Sequence, residues 1–273
     1  VSTDDSAVGY YDLVIRDFWL DGGDAGDPIT GRHGIYLEKM GRQALLENLK
    51  LKRFDVGINL SDDNNNVITL KNIRVDIANI GIIISGLVNE ITMIDVQTVY
   101  TSNYGLYLRT RNVRILGGTF SPKSGINVYI GYSNNIAFYC SYFHVEPDYP
   151  ADGNVVIEGD SDAYPALNIL FSNCYWTGSN NVDYAVKIKY GQKIVIENPR
   201  SRLHNIAFLY LTNVVQDLTV ISPQIEDPYF ADSEVLTMAK SRMIGTLIEA
   251  RRVGAIVFSG SQVDTGDVVV FTG

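Results

Sequence analysis

Apolar and polar residues alternate in short runs along almost the whole chain, and each run ends at a small polar residue. The stretch from Val67 to Gly86 is the clearest copy. Ile68 and Leu70 alternate with Thr69 and Lys71 before Asn72, Ile73 and Val75 flank Arg74, and Gly81 opens a third apolar run, Ile82 to Ile84. A period of two over runs this short predicts half-buried strands, not helices. One such three-strand unit cannot bury its own apolar side, so it has to stack on copies of itself.

The position of Asn72 recurs as Asp17, Asn48, Asp95, Gly117, Cys140, Asn173, Asn198 and Ser222. The spacings are roughly 22 to 33 residues, in the range of solenoid repeats. Asn, Asp and Gly suit a tight bend because they tolerate left-handed backbone, and stacked Asn side chains can hydrogen-bond from rung to rung. Four and two residues before each turn stand Leu13 and Ile15, Ala44 and Leu46, Ile68 and Leu70, Ile91 and Met93, Val113 and Ile115, Ile136 and Phe138, Ile169 and Phe171, Ile194 and Ile196, Leu218 and Val220. All are apolar. The third strand of a rung follows a small residue, as in Gly34-Ile35-Tyr36-Leu37, Gly57-Ile58-Asn59-Leu60, Gly105-Leu106-Tyr107-Leu108 and Gly125-Ile126-Asn127-Val128. The expected architecture is all-β: a single-stranded parallel solenoid of about nine to ten rungs, occupying residues 1–242, with 243–273 as a last rung or C-terminal cap.

Composition narrows the function. A net charge of −9 argues against a nucleic-acid partner, which needs a basic face. The longest apolar stretch, near Ile77 to Val88, is broken by Asn79, Gly81, Ser85 and Gly86, too short and interrupted to insert in a membrane. Two cysteines make no disulfide framework. Cys174 falls on an inward position beside Trp176 and reads as a buried thiol; Cys140 falls in the turn column, and a bridge between the two stays open. His33, His144 and His204 sit on different rungs, so neither a metal centre nor a cofactor is expected. The first residues, Val1-Ser2-Thr3-Asp4-Asp5, are no signal peptide, and with no initiator Met the chain reads as a piece of a longer protein.

The asparagine turns and the Gly-Ile-x-Leu strands resemble the right-handed parallel β-helix of the pectate-lyase-like superfamily, most closely its bacteriophage tailspike and tail-appendage members. The resemblance runs from about Leu13 to Ile225. It implies a right-handed coil, assembly as a homotrimer, a place on the virion tail (or secretion), and a bacterial surface polysaccharide as the partner. It carries over no catalytic residues. The polygalacturonase branch has Asn-Thr-Asp, Asp-Asp, Gly-His-Gly and Arg-Ile-Lys; here Gly31-Arg32-His33-Gly34 and Lys187-Ile188-Lys189 occur in the wrong order, and no Asn-Thr-Asp exists. The apolar outward residues Val14, Leu45, Leu170 and Val195 agree with a trimer contact.

Chemistry is expected on the outward side of the third strands. Rung by rung these residues read Tyr36 and Glu38, Asn59 and Ser61, Ile83 and Ser85, Tyr107 and Arg109, Asn127 and Tyr129, Val156 and Glu158, Lys187 and Lys189. Rings stack on the apolar faces of sugars while amides and charges read hydroxyls, which makes Tyr107, Arg109, Asn127, Tyr129, Lys187 and Lys189 the candidate substrate-binding residues. Insertions at Asp21 to Arg32, Val145 to Gly153 and Gly159 to Pro165 break the repeat, and solenoid insertions collect on a binding face. The latter two bracket Glu158. Glycoside hydrolysis needs a carboxylate pair. Asp152 and Asp183 precede their third strands by the same offset on adjacent rungs, so Asp152, Glu158 and Asp183 are the candidate catalytic residues. Two readings stand beside hydrolysis: a lyase, with Arg109, Lys187 and Lys189 stabilising an enolate and Tyr107 or Tyr129 carrying the proton, and a non-catalytic receptor-binding or structural shaft, in which Glu158 merely pairs with Lys189.

Overall fold

The computed structural model describes residues 12–23, 28–38, 43–61, 67–86, 90–145, 153–161, 163–179, 181–204, 207–221, 224–226, 246–253, 256–259 and 269–271. These residues are strands, bends and turns, with no helix among them. Long strands run through several faces of the solenoid. One, Gln43–Ser61, bends at Asn48 and Arg53; the next, Val67–Ser85, bends at Asn72 and Ile77, and all four residues have φ between 50° and 61°. Neighbouring rungs pair in parallel at every step, for example Leu46↔Leu70, Leu51↔Val75 and Leu60↔Ile84. The result is three parallel ladders, one for each strand of the repeat.

The turn column is as the sequence indicates. Asp17, Asn48, Asn72, Asp95, Cys140, Asn173 and Asn198 have φ between 47° and 61°, and Gly117 has φ 72°. Ser222 lies outside the described residues. Side-chain amides link the rungs: Asn48 donates to Asp17 at 2.7 Å, Asn72 to Asn48 at 2.9 Å and Asn198 to Asn173 at 3.2 Å. A second column, where the third strand passes into the next rung, has Asn135 donating to Asn112 at 3.0 Å and Asn168 to Asn135 at 3.1 Å.

Of the apolar pairs that precede the turns, all but Leu13 are buried, and Leu13 packs against the same core. The filling changes along the axis. Early rungs are aliphatic, whereas later ones stack aromatics: Phe138 on Phe171 at 4.9 Å and Phe143 on Trp176 at 5.2 Å between ring centres. Cys174 lies among them, and burial pushes its thiol up to about 12. Both cysteines are free.

The solenoid has about seven turns where nine to ten were expected. Rungs follow one another from Gln43 to Thr212, and on the N-terminal side Asp12–Asp21 and Ile29–Glu38 pair with Gln43–Ser61 along all three ladders. Toward the C-terminus, Thr246–Val253 pairs with Ala207–Ile221, and Val269–Phe271 pairs with Thr246–Val253.

One register differs from the sequence reading. Leu106 pairs with Val128 and Tyr107 with Tyr129, so the residue opposite Gly105 is Asn127, not Gly125. Asn127 thus begins its third strand at a corner that earlier rungs give to glycine. The reason for glycine there is steric: a Cβ on Gly57 would stand 2.4 Å from Val75 Cγ1, and one on Gly81 would stand 2.4 Å from the Gly105 carbonyl oxygen. From Asn127 onward the corner accepts a side chain and turns it inward. Asn127 is fully buried, and neither of its amide atoms has a protein partner. On the next rung Asn154 donates to the Thr177 carbonyl at 3.1 Å and meets His204 Nε2 at 3.1 Å. Asn127 is therefore an interior residue and cannot touch a ligand on the outer face.

Candidate functional site

With the register corrected, the outward residues of the third ladder form two columns. One runs Tyr36, Asn59, Ile83, Tyr107, Tyr129, Val156, Lys187 and Tyr210. The other runs Glu38, Ser61, Ser85, Arg109, then Gly131, then Glu158, Lys189 and Thr212. Successive members are about 4.8 Å apart, the inter-strand spacing.

Tyr107 and Tyr129 stack face to face, with ring centres 5.1 Å apart and planes 8° apart. Tyr104 packs its ring against both, at 5.6 and 5.5 Å. In the other column, Gly131 leaves a gap between Arg109 and Glu158. A Cβ there would meet Tyr129 at 3.3 Å and Arg109 Cγ at 3.7 Å, so a larger side chain would lie across this surface. Further along, Tyr184 stacks on Tyr210 at 4.5 Å, and the Lys187 ammonium stands 5.7 Å from the Tyr210 ring centre.

Both acids of this region are ion-paired. Glu158 accepts from Lys189 on the next rung. That hydrogen bond raises the Lys189 pKa, so the ammonium is held charged. Asp160 accepts from the Arg109 guanidinium at 2.6 Å, across 51 residues of sequence. The insertion makes this reach possible. Gly159 N–H donates to the Lys189 carbonyl at 3.0 Å, Asp160 N–H to the Tyr164 carbonyl at 3.0 Å, and Tyr164 N–H to the Ser161 carbonyl at 3.1 Å. The loop is a tight fold-back that carries Asp160 and Tyr164 toward earlier rungs, where the Tyr164 ring meets Tyr132 edge-on at 5.5 Å.

Tyr129 lies at the centre of this constellation. Burial, with added repulsion from Glu158, Tyr107, Tyr104 and Asp160, pushes its phenol up to about 12. At neutral pH the hydroxyl is a hydrogen-bond donor and not a base.

The expected site residues therefore divide. The structure brings Tyr107, Arg109, Tyr129, Glu158 and Lys189 onto neighbouring rungs of one face, with Lys187 on the same strand as Lys189. Asn127 is interior. Asp152 lies outside the described residues, as does most of the insertion from Val145 to Gly153. Asp183 is described and is not close to Glu158. Glu158 pairs with Lys189, and Asp183 precedes Lys189 by six residues, about 20 Å along an extended strand. Asp183 thus precedes Tyr184–Glu197, whereas Glu158 lies beside the middle of that strand. Asp160, two residues after Glu158, is the other described acid of this region and is held by Arg109. Its membership in the acidic insertion was visible in the sequence, but the direction of the fold-back was not.

Among the described residues, no three His, Cys, Asp or Glu side chains gather as a metal site. In the insertion from Asp21 to Arg32, Asp21 is held below the ordinary carboxylate range by Arg53; Asp24 and Asp27 lie outside the described residues.

Fold and site together define a parallel β-solenoid with an aromatic and ion-paired strip along one outer face. No family model matches the chain, and no curated protein matches it. Two solved structures are similar to it, both from Azotobacter vinelandii. The mannuronan C-5 epimerase AlgE6 A-module is 15% identical, with 95% of this chain and 75% of that chain covered and a TM-score of 0.46. The mannuronan C-5 epimerase AlgE4 A-module is 10% identical, with 96% and 90% covered and a TM-score of 0.22. The fold assignment rests on the ladders themselves.

Proposed function

We propose that this chain is a right-handed, tailspike-type β-helix that binds a bacterial surface polysaccharide along the outer face of its third ladder and cleaves it by glycoside hydrolysis. It works as a homotrimer on a virion tail. The observation that carries the reading is the stacked pair Tyr107 and Tyr129 on the same face as the ion pairs of Arg109 with Asp160 and of Lys189 with Glu158. The aromatic pair supports the apolar face of a pyranose. The gap at Gly131 leaves room for a glycosidic oxygen to approach the acids.

Roles follow from the ion pairs. Glu158 keeps Lys189 as its partner and serves as the carboxylate that attacks C1 or activates water. Asp160 holds its cation only while Arg109 faces it. When Arg109 turns to the glycan, Asp160 loses that cation and serves, with its proton, as the general acid. It then delivers that proton to the leaving oxygen, and water completes the hydrolysis. Tyr129 donates a hydrogen bond to the same oxygen. A second reading, β-elimination from a uronic acid, is favoured by the protonated phenol of Tyr129 near Arg109, which fits proton delivery to a leaving group.

The test is release of reducing ends from purified surface polysaccharides. Hydrolysis predicts saturated products, with Glu158→Gln and Asp160→Asn each lowering turnover at least about 100-fold while glycan binding persists. Full activity in both variants refutes the assignment. An unsaturated, ultraviolet-absorbing product transfers it to elimination.

A further inference from the structure

Beside the strip, where the third ladder passes into the next rung, lies a recess of about 310 Å³. Its lining includes Arg109, Arg111, Tyr132, Ser133 and Asn134 and, among the described residues, no acidic residue. On a chain with net charge −9, two guanidiniums on one recess are a local reversal of sign. Arg109 and Arg111 both stand outward, because Thr110 between them is buried and donates to the Gly86 carbonyl at 2.9 Å. The floor is fixed: Ser133 is 3% exposed, its Oγ accepts from the Thr110 N–H at 3.2 Å and lies 3.3 Å from the Leu108 carbonyl. Asp160 is the carboxylate on Arg109, whereas no carboxylate pairs with Arg111 among the described residues. The Tyr132 ring is 46% exposed and is held edge-on by Tyr164, which leaves it free to pack on a sugar.

We propose that this recess is a subsite for a sugar bearing an anionic group, with Arg109 and Arg111 taking the anion and Tyr132 packing on the ring. This rests on the polysaccharide reading and sharpens it: the glycan is acidic. A guanidinium fork matches a carboxylate or a phosphate through two parallel hydrogen bonds, whereas a neutral hydroxyl gains no such charge-assisted pair. The ligand anion also competes with Asp160 for Arg109. Seating an acidic sugar thereby frees the acid that the hydrolytic reading requires, so recognition and catalysis are coupled through one side chain.

The test is titration of the full chain with glucuronic acid, glucose 6-phosphate and glucose, followed through the arginine Nε–H signals. Either anionic sugar should bind at least about 10-fold more tightly than glucose. Arg111→Ala should abolish that preference, Arg111→Lys should restore part of it, and Thr69→Ala, on the first ladder, should leave it intact. A preference for glucuronic acid identifies a carboxylate as the natural anion, and one for the phosphate identifies a phosphorylated sugar. Equal binding of all three sugars, or a preference that survives Arg111→Ala, overturns the subsite. These monosaccharide outcomes do not depend on polysaccharide cleavage. A chain that cleaves only neutral glycans, with Arg111→Ala silent, refutes the subsite and leaves the hydrolytic reading standing. A chain that prefers the anionic sugars through Arg111 but cleaves no polysaccharide does the reverse.

Discussion

Replacing Asn72 tests the physical basis of the solenoid, because two substitutions there should rank opposite to the order expected in an ordinary strand. In the middle of a strand, Gly is worse than Ala by about 0.5–1 kcal/mol. Asn72 has φ 50° and donates to Asn48 at 2.9 Å. Asn72→Ala loses the hydrogen bond, about 1 kcal/mol, and puts in left-handed backbone a residue without asparagine's tolerance of it, up to about 1–2 kcal/mol. The total is up to about 2–3 kcal/mol. Asn72→Gly loses the same hydrogen bond and pays only backbone entropy, for a total of about 1–2 kcal/mol. Thr69, outward on the same strand, is the internal control, and there the ordinary order should return. Urea unfolding followed by far-ultraviolet circular dichroism measures all four variants. If Asn72→Gly is as destabilising as Asn72→Ala, or more so, the left-handed turn is not what selects asparagine.

Further outcomes follow from contacts elsewhere in the chain. Gly81→Ala places a Cβ 2.4 Å from the Gly105 carbonyl oxygen and 2.6 Å from Thr98 Cγ2, so it should lower the urea midpoint sharply, whereas Gly131→Ala, whose nearest contact is 3.3 Å, should leave stability near wild type and impair glycan cleavage. Asn154→Ala strips the Thr177 carbonyl and His204 of a buried partner and should cost about 1–3 kcal/mol in the same unfolding assay. The Tyr129 phenol is raised from an ordinary value of 10 to about 12. Its unfolded form therefore releases its proton first. No stability is lost to this group below pH 10; stability falls as pH rises from there toward 12, and Tyr129→Phe should remove part of that alkaline loss in unfolding measured across the same window.

Much of the fold was legible because the solenoid repeats its physics. Every described rung has a left-handed bend in this column, supplied by Asn, Asp or Gly except at Cys140. Every rung needs two inward apolar residues before that bend, and those columns are apolar throughout. The reading slipped where the repeat itself changes. Gly125 looks like the corner glycine of Gly105, but its φ of 86° serves a different turn, and Asn127 holds the corner. An amide at a glycine position is no local violation of pattern, so nothing in the sequence alone marks it as interior. The strip was legible in Tyr107, Arg109, Tyr129, Glu158 and Lys189 because alternation fixes which residues face outward. Its second acid was not. Asp160 reaches Arg109 through a loop that folds back over earlier rungs, and loop direction carries no periodic signal.

The central claim is that a polysaccharide lies along the outer face of the third ladder. A crystal structure of the chain with an acidic oligosaccharide, chosen as the strongest binder from a glycan array, tests it most directly. The account predicts pyranose rings on Tyr107 and Tyr129, a glycosidic oxygen beside Glu158 and Asp160, and an anionic substituent between Arg109 and Arg111. An oligosaccharide seated instead on the first ladder, around Glu90 and Arg114, or an array with no binder at all, would contradict it.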